Sequence, residues 1–116
     1  MANNAPVSVY KEIEEVMEKY LVGGNTSSDE LRKVFHPDAV VNGGSLEDFL
    51  KVIDEGIEKN GQPTSKGQVD ILDVVDNIAT VRITLENYHG EDFIDFHHLY
   101  KFDNGWKIVS KMFVNA

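Results

Sequence analysis

The sequence predicts an α+β fold, with three N-terminal helices packed on a mainly antiparallel sheet. Apolar residues recur at helical spacing in the first half of the chain and alternate in long runs through the second half, where short Asp/Asn/Gly signals punctuate them. Helices first and strands later is the order of folds that segregate the two into layers. A chain of 116 residues, 41% of them hydrophobic, matches one domain with one core, so residues 1–116 are read as a single unit.

Residues 1–6 are expected to form a loose end. From Pro6 to Leu21, Tyr10, Ile13, Met17 and Tyr20 line one side of a helix, while Lys11, Glu12, Glu14, Glu15 and Glu18 take the other. Gly23-Gly24 is expected to stop it. Ser27 with Glu30 three residues on forms a capping box that opens a short helix bearing Leu31, Val34 and Phe35, ended by Pro37. A short strand, residues 39–42, follows. Ser45 caps a third helix whose stripe is Leu46, Phe49, Leu50, Ile53 and Ile57.

Four strands are then expected, over 68–75, 78–87, 91–102 and 106–114. Asp76-Asn77, Tyr88-His89-Gly90 and Asp103-Asn104-Gly105 join them. A three-residue hairpin loop favours a left-handed residue last, which glycine accepts, so Asn87 is paired with Glu91 and Phe102 with Trp106. A two-residue turn on Asn104-Gly105 is the competing register. With the three-residue loops, Leu72, Val74, Ala79, Val81, Ile83, Leu85, Phe93, Asp95, His97, Leu99, Val109, Lys111 and Phe113 face the helices. Phe96, Tyr100, Trp106, Ile108 and Met112 face outward. An outer face that apolar predicts a homodimer formed sheet to sheet.

Charge and composition exclude several classes. Eleven basic residues stand against twenty acidic ones, for a net charge of −9, with the lysines scattered; nucleic acid and anionic membranes are not expected partners. With no cysteine, disulfides, thiol nucleophiles and thiolate metal sites are ruled out. The N-terminus lacks a basic segment leading into an apolar run, and a cytoplasmic location is the expectation. His97 and His98 point to opposite faces of one strand, so no metal site is expected. The glycine pairs lack phosphate-loop spacing, and no cofactor is expected.

Phe35-His36-Pro37-Asp38-Ala39 after a short helix, Phe93-Ile94-Asp95-Phe96, and the stretch from Trp106 to Phe113 resemble the nuclear-transport-factor-2-like superfamily. Within it, they are most similar to the group labelled "putative lumazine-binding" and related SnoaL-like proteins. The resemblance covers Val9 to Phe113. It implies a strongly curved sheet that forms a cone with the helices, an internal pocket, and a dimer through the outer sheet face. Relatives in the superfamily include isomerases, dehydratases, cyclases and binding domains without catalysis, so the fold alone does not assign a function. Ketosteroid isomerases carry a general-base aspartate just after the first short strand. Val41-Asn42-Gly43-Gly44 holds no carboxylate there, so that mechanism is not carried over. A first-helix tyrosine belongs to the same pocket, and Tyr20 is its counterpart.

The candidate site is the polar set on the helix-facing side: Asp95, His97 and Lys111, with Tyr20 from the first helix. Ionisable groups on an apolar face are costly unless paired or wet, and they gather at cavities. Asp95 would act as base or acid, His97 as shuttle or donor, and Lys111 as anchor for an anionic group. The plainer reading makes Asp95 and Lys111 a buried ion pair that fixes the sheet, and tyrosines such as Tyr10 and Tyr20 core residues with wet tips. His36, beside Pro37, is expected to bond a carbonyl at a helix end. The function read from this set is binding of an unidentified small molecule. The alternatives are an acid–base enzyme using Asp95 and His97, or a dimeric assembly module without ligand.

Overall fold

The computed structural model describes residues 5–116. Residues 1–4 of the expected loose end lie outside the described residues, and Ala5 packs against the core. Helix α1 spans Val7–Gly24 and buries Ile13, Met17, Tyr20 and Gly23. It runs past the expected stop: Gly23-Gly24 form its last turn. Gly23 is there for space, because a Cβ on it would sit 3.2 Å from the backbone nitrogen of Leu31. Helix α2, Ser28–Arg32, is capped as read, the Glu30 N–H donating to Ser27 Oγ at 3.3 Å. Helix α3, Leu46–Asn60, is capped by Ser45, whose Oγ accepts the Asp48 N–H at 3.1 Å.

Six strands form one sheet: β1 (Phe35–Val41), β2 (Gly44–Ser45), β3 (Lys66–Val75), β4 (Ile78–Tyr88), β5 (Glu91–Phe102) and β6 (Gly105–Asn115). Their order is β2-β1-β6-β5-β4-β3, antiparallel except for the parallel β1–β6 pair, and the sheet curls around the helices without closing. The first strand begins before Pro37. The proline falls between Phe35 and Val40, where the β1–β6 ladder is interrupted, so its missing N–H leaves no ladder bond broken. His36 therefore caps no helix. Its Nδ1 accepts the Asp38 N–H at 3.0 Å and its ring stacks on Phe102. Strand β2 was not foreseen; Asn42 (φ 47°) and Gly43 (φ 81°) supply the two left-handed residues of a tight turn that folds it onto β1.

The hairpin registers differ from expectation in a way that changes the faces. β5 and β6 join through two residues, Asp103-Asn104, and Phe102 pairs with Gly105 rather than Trp106. Leu99 then pairs with Ile108, but His98 pairs with Ser110, so Val109 is an extra residue bulged out of β6. Trp106 and Ile108 consequently point inward, 3% and 0% exposed, and do not belong to the outer face assigned to them. Asn87 does not pair with Glu91: a two-residue turn on His89-Gly90 sets Tyr88 against Glu91, and a second irregularity restores Leu85 opposite Phe93. A bulge at Leu72 turns that side chain to solvent, while Val74 stays in the core. One cluster joins the buried faces of all three helices to the inner face of the sheet. No helix among the described residues is long and apolar enough to cross a membrane.

Candidate functional site

Strands β5 and β6 set His97 directly opposite Lys111, as the sequence predicts, and Asp95 lies two residues along the same face of β5. The penultimate turn of α1 brings Tyr20 over them. All four meet at one atom. Asp95 Oδ2 accepts from Tyr20 Oη at 2.8 Å, from Lys111 Nζ at 3.0 Å and from His97 Nε2 at 3.3 Å. The structure therefore assembles every residue of the expected set around a single carboxylate. Tyr20 is a core residue, but its hydroxyl is committed to Asp95 rather than left at water. Tyr10 lies half-buried at the edge of the core and takes no part.

Burial is extreme for charged groups: Asp95 is 1% exposed and Lys111 4%. Burial pushes the Asp95 carboxyl up, but its bond to His97 and the positive charge of Lys111 outweigh this and hold it below the usual carboxylate range. Burial lowers His97 to about 4, against the opposing bond to Asp95, so its ring is neutral at pH 7. A neutral ring that donates from Nε2 leaves Nδ1 as a bare acceptor, and Nδ1 is buried without a partner among the described residues. Burial also lowers Lys111, against the pull of Asp95. Three rings surround its ammonium, with Nζ 4.3 Å from the centroid of Phe113, 5.4 Å from Phe49 and 5.7 Å from Tyr20. The same burial, with Asp95 beside it, raises the Tyr20 hydroxyl well above its ordinary value, so it remains a donor.

A cavity of about 70 Å³ opens beside this cluster. Leu21, Leu31, Phe49, Ile53, Leu85 and Phe93 form apolar walls, and Tyr20, Asp95 and Lys111 form the charged end. His97 is not among the lining residues; it stands behind Asp95 and touches the carboxylate rather than the space. Tyr88 also lines the cavity, its hydroxyl buried and without a partner among the described residues. Sequence reasoning missed Tyr88 because it put this residue in a turn. It missed Phe49 as a wall because a helix stripe reads the same whether it meets core or cavity. Chemically, the arrangement offers a fixed negative oxygen, a fixed ammonium and an apolar wall. No group of three His, Cys, Asp or Glu side chains among the described residues is placed to hold a metal ion.

Comparison with known proteins agrees with this architecture. Residues 8–114 match the family model described as "Putative lumazine-binding". Aldolase FrzH of Cladobotryum sp. is 30% identical over 96 residues, spanning 75% of this chain and 74% of that protein. An NTF2-like protein of unknown function from Shewanella baltica OS155 is 30% identical, with a TM-score of 0.84 over 98% of both chains. Another, from Methylobacillus flagellatus KT, is 25% identical, with a TM-score of 0.88 over 100% of this chain and 98% of its own.

Proposed function

This chain belongs to the NTF2-like family described as "Putative lumazine-binding", and from that premise we propose that it binds a small, largely apolar molecule in the cavity between α1, α3 and the sheet. The observation that carries this reading is the Asp95–Lys111–Tyr20 cluster at one end of an otherwise apolar space. Apolar walls with a few convergent polar groups are the usual make-up of small-molecule sites. A buried ion pair needed only to fix the sheet would be better packed over than left beside open space. At about 70 Å³ the cavity is smaller than the roughly 150 Å³ that holds benzene, so a ligand of one ring must also occupy its mouth. Native mass spectrometry of freshly purified protein, followed by a thermal-shift screen of single-ring compounds, tests the proposal. A bound mass or a saturable stabilisation, lost in Phe49→Trp, is expected. A clean apo spectrum with no stabilising compound overturns it.

A second reading, an acid–base enzyme with Asp95 as base, has one observation in its favour: Asp95 Oδ1 is buried and accepts no bond from the described residues. One relative, Aldolase FrzH of Cladobotryum sp., bears the name of an enzyme. Against it, a carboxylate held below its usual range is a weak base. His97, set behind the carboxylate, orients it and moves no proton to a ligand. Binding is therefore the reading we adopt, in a protein that acts as a homodimer through Phe96, Tyr100 and Met112.

A further inference from the structure

Lys111 stands where an ammonium is hard to keep. Its side chain retains 5% of its surface, against 1% for Asp95, and Nζ lies 3.0 Å from Asp95 Oδ2. The three rings around Nζ, those of Phe113, Phe49 and Tyr20, are all walls of the cavity, which places the ammonium at its charged end. The lysine stem is long and flexible, so Nζ can advance into the space, whereas three partners hold the Asp95 carboxylate. An ammonium has three N–H groups. One serves Asp95 Oδ2, and the rings offer the others π-faces rather than lone pairs.

An anionic ligand would bring a second negative charge to a cation that Asp95 already balances. Chemistry that keeps the charge count suits the pair better, and condensation of the amine with a carbonyl does so. A lysine desolvated in an apolar pocket is a common source of such an amine.

We propose that Lys111 is a covalent anchor for the ligand: its amine condenses with the carbonyl of a short-chain aldehyde or ketone and holds it in the cavity as a protonated imine paired with Asp95. The proposal rests on the cavity being a binding site and adds the bond that retains the ligand. A space of about 70 Å³ admits a short chain, and a longer remainder would extend into the mouth. The ammonium first passes a proton to Asp95 Oδ2. The neutral amine attacks the carbonyl carbon, a C–N bond forms, and the oxygen takes a proton from the nitrogen. Asp95 then returns its proton to that hydroxyl, which leaves as water while the nitrogen lone pair closes the C=N bond. The nitrogen keeps one hydrogen and the positive charge, nothing is oxidised or reduced, and Asp95 is again an anion beside a cation. Burial favours the first transfer from both sides, since it lowers Lys111 and pushes Asp95 up. Loss of the ammonium charge also removes one of the influences that hold the carboxylate low.

The test incubates wild-type protein at neutral pH with propanal and cyanoborohydride, which reduces an imine to a stable secondary amine. Peptide mass mapping locates the propyl group. Lys111 is expected to be labelled about tenfold or more faster than any other lysine. Pivalaldehyde, too bulky beside its carbonyl for the cavity, is expected to label exposed lysines and spare Lys111. Local unfolding does not imitate this pattern, because a lysine reached only by opening reacts more slowly than those already exposed. Lys111 labelled no faster than exposed lysines, or equally by both aldehydes, overturns the anchor and leaves non-covalent binding standing, which the thermal-shift screen reads separately. If Lys111 stays unlabelled and that screen also finds nothing, both fall together. Lys111→Met combined with Asp95→Asn removes the pair as a unit and is expected to lose the fast label alone; a fast label that survives in it also overturns the assignment.

Discussion

Asp95 and Lys111 are each tolerable only because the other is there. Replacing Asp95 by Asn strips a buried ammonium of its counter-charge, and replacing Lys111 by Met leaves the carboxylate with two neutral donors. Each single change is expected to cost roughly 3–5 kcal/mol in urea unfolding, whereas the double variant loses clearly less than the sum, since an apolar replacement of a buried pair is often neutral. Additive losses would show that the two do not act as a pair. His97 gives a pH signature at the same carboxylate. Its ordinary value is 6.5 and in the fold it is lowered to about 4. Between those limits the unfolded chain binds a proton that the folded one refuses, so stability is complete above about pH 6.5 and falls as pH drops toward 4. A gap of that size is worth roughly 3 kcal/mol. Asp95, held low in the fold, adds a further loss below the ordinary carboxylate value of 3.8. His97→Gln is expected to be less stable at neutral pH but flat across the upper window; a wild-type curve already flat there would refute the buried neutral ring.

Contacts between elements shape the cavity as much as its polar end does. Gly67 on β3 lies under Leu21 of α1 so closely that a Cβ would fall 2.4 Å from one Leu21 methyl and 3.2 Å from its Cγ. Gly67→Ala must displace the Leu21 side chain, which lines the cavity, at a cost of about 1–3 kcal/mol. Adding Leu21→Ala is expected to recover part of that loss, and no recovery would mean the strain lies elsewhere. The sequence makes the helices and their caps at Ser27 and Ser45 legible, because helical spacing and S-x-x-E patterns are local signals. The outer face is not legible, and the reason is specific. The β5–β6 loop is one residue shorter than its Asp-Asn-Gly sequence suggests, and the bulge at Val109 adds the residue back. The two deviations cancel at Lys111, so the polar set is read correctly. They do not cancel at Trp106 and Ile108, which lie between loop and bulge and are turned inward. A bulge has no fixed residue type in sequence, and alternation on a sheet apolar on both faces cannot reveal a change of phase.

At the scale of the whole molecule, the corrected outer face still carries an unexplained apolar surface. Phe96 is 40% exposed and Met112 51%, and they are directly paired across β5 and β6. Tyr100 pairs with exposed Ile78, and Ile94 with exposed Val114, which extends the patch over three adjacent strands. Soluble proteins seldom leave a contiguous apolar surface of this kind open to water, and a twofold axis lets one such sheet cover another. The occupant we expect is therefore a second copy of this chain, seated with Phe96 and Met112 at its centre. Each copy carries a net charge of −9, so association works against repulsion that salt screens. Light scattering is expected to give a dimer at micromolar concentration that tightens as ionic strength rises. Phe96→Glu combined with Met112→Glu is expected to give a folded monomer whose cavity is unaltered, because both side chains leave the sheet on the side away from Asp95 and Lys111. A wild-type monomer at micromolar concentration in high salt would sink the dimer, and the patch would then have to be explained as a surface for a different partner.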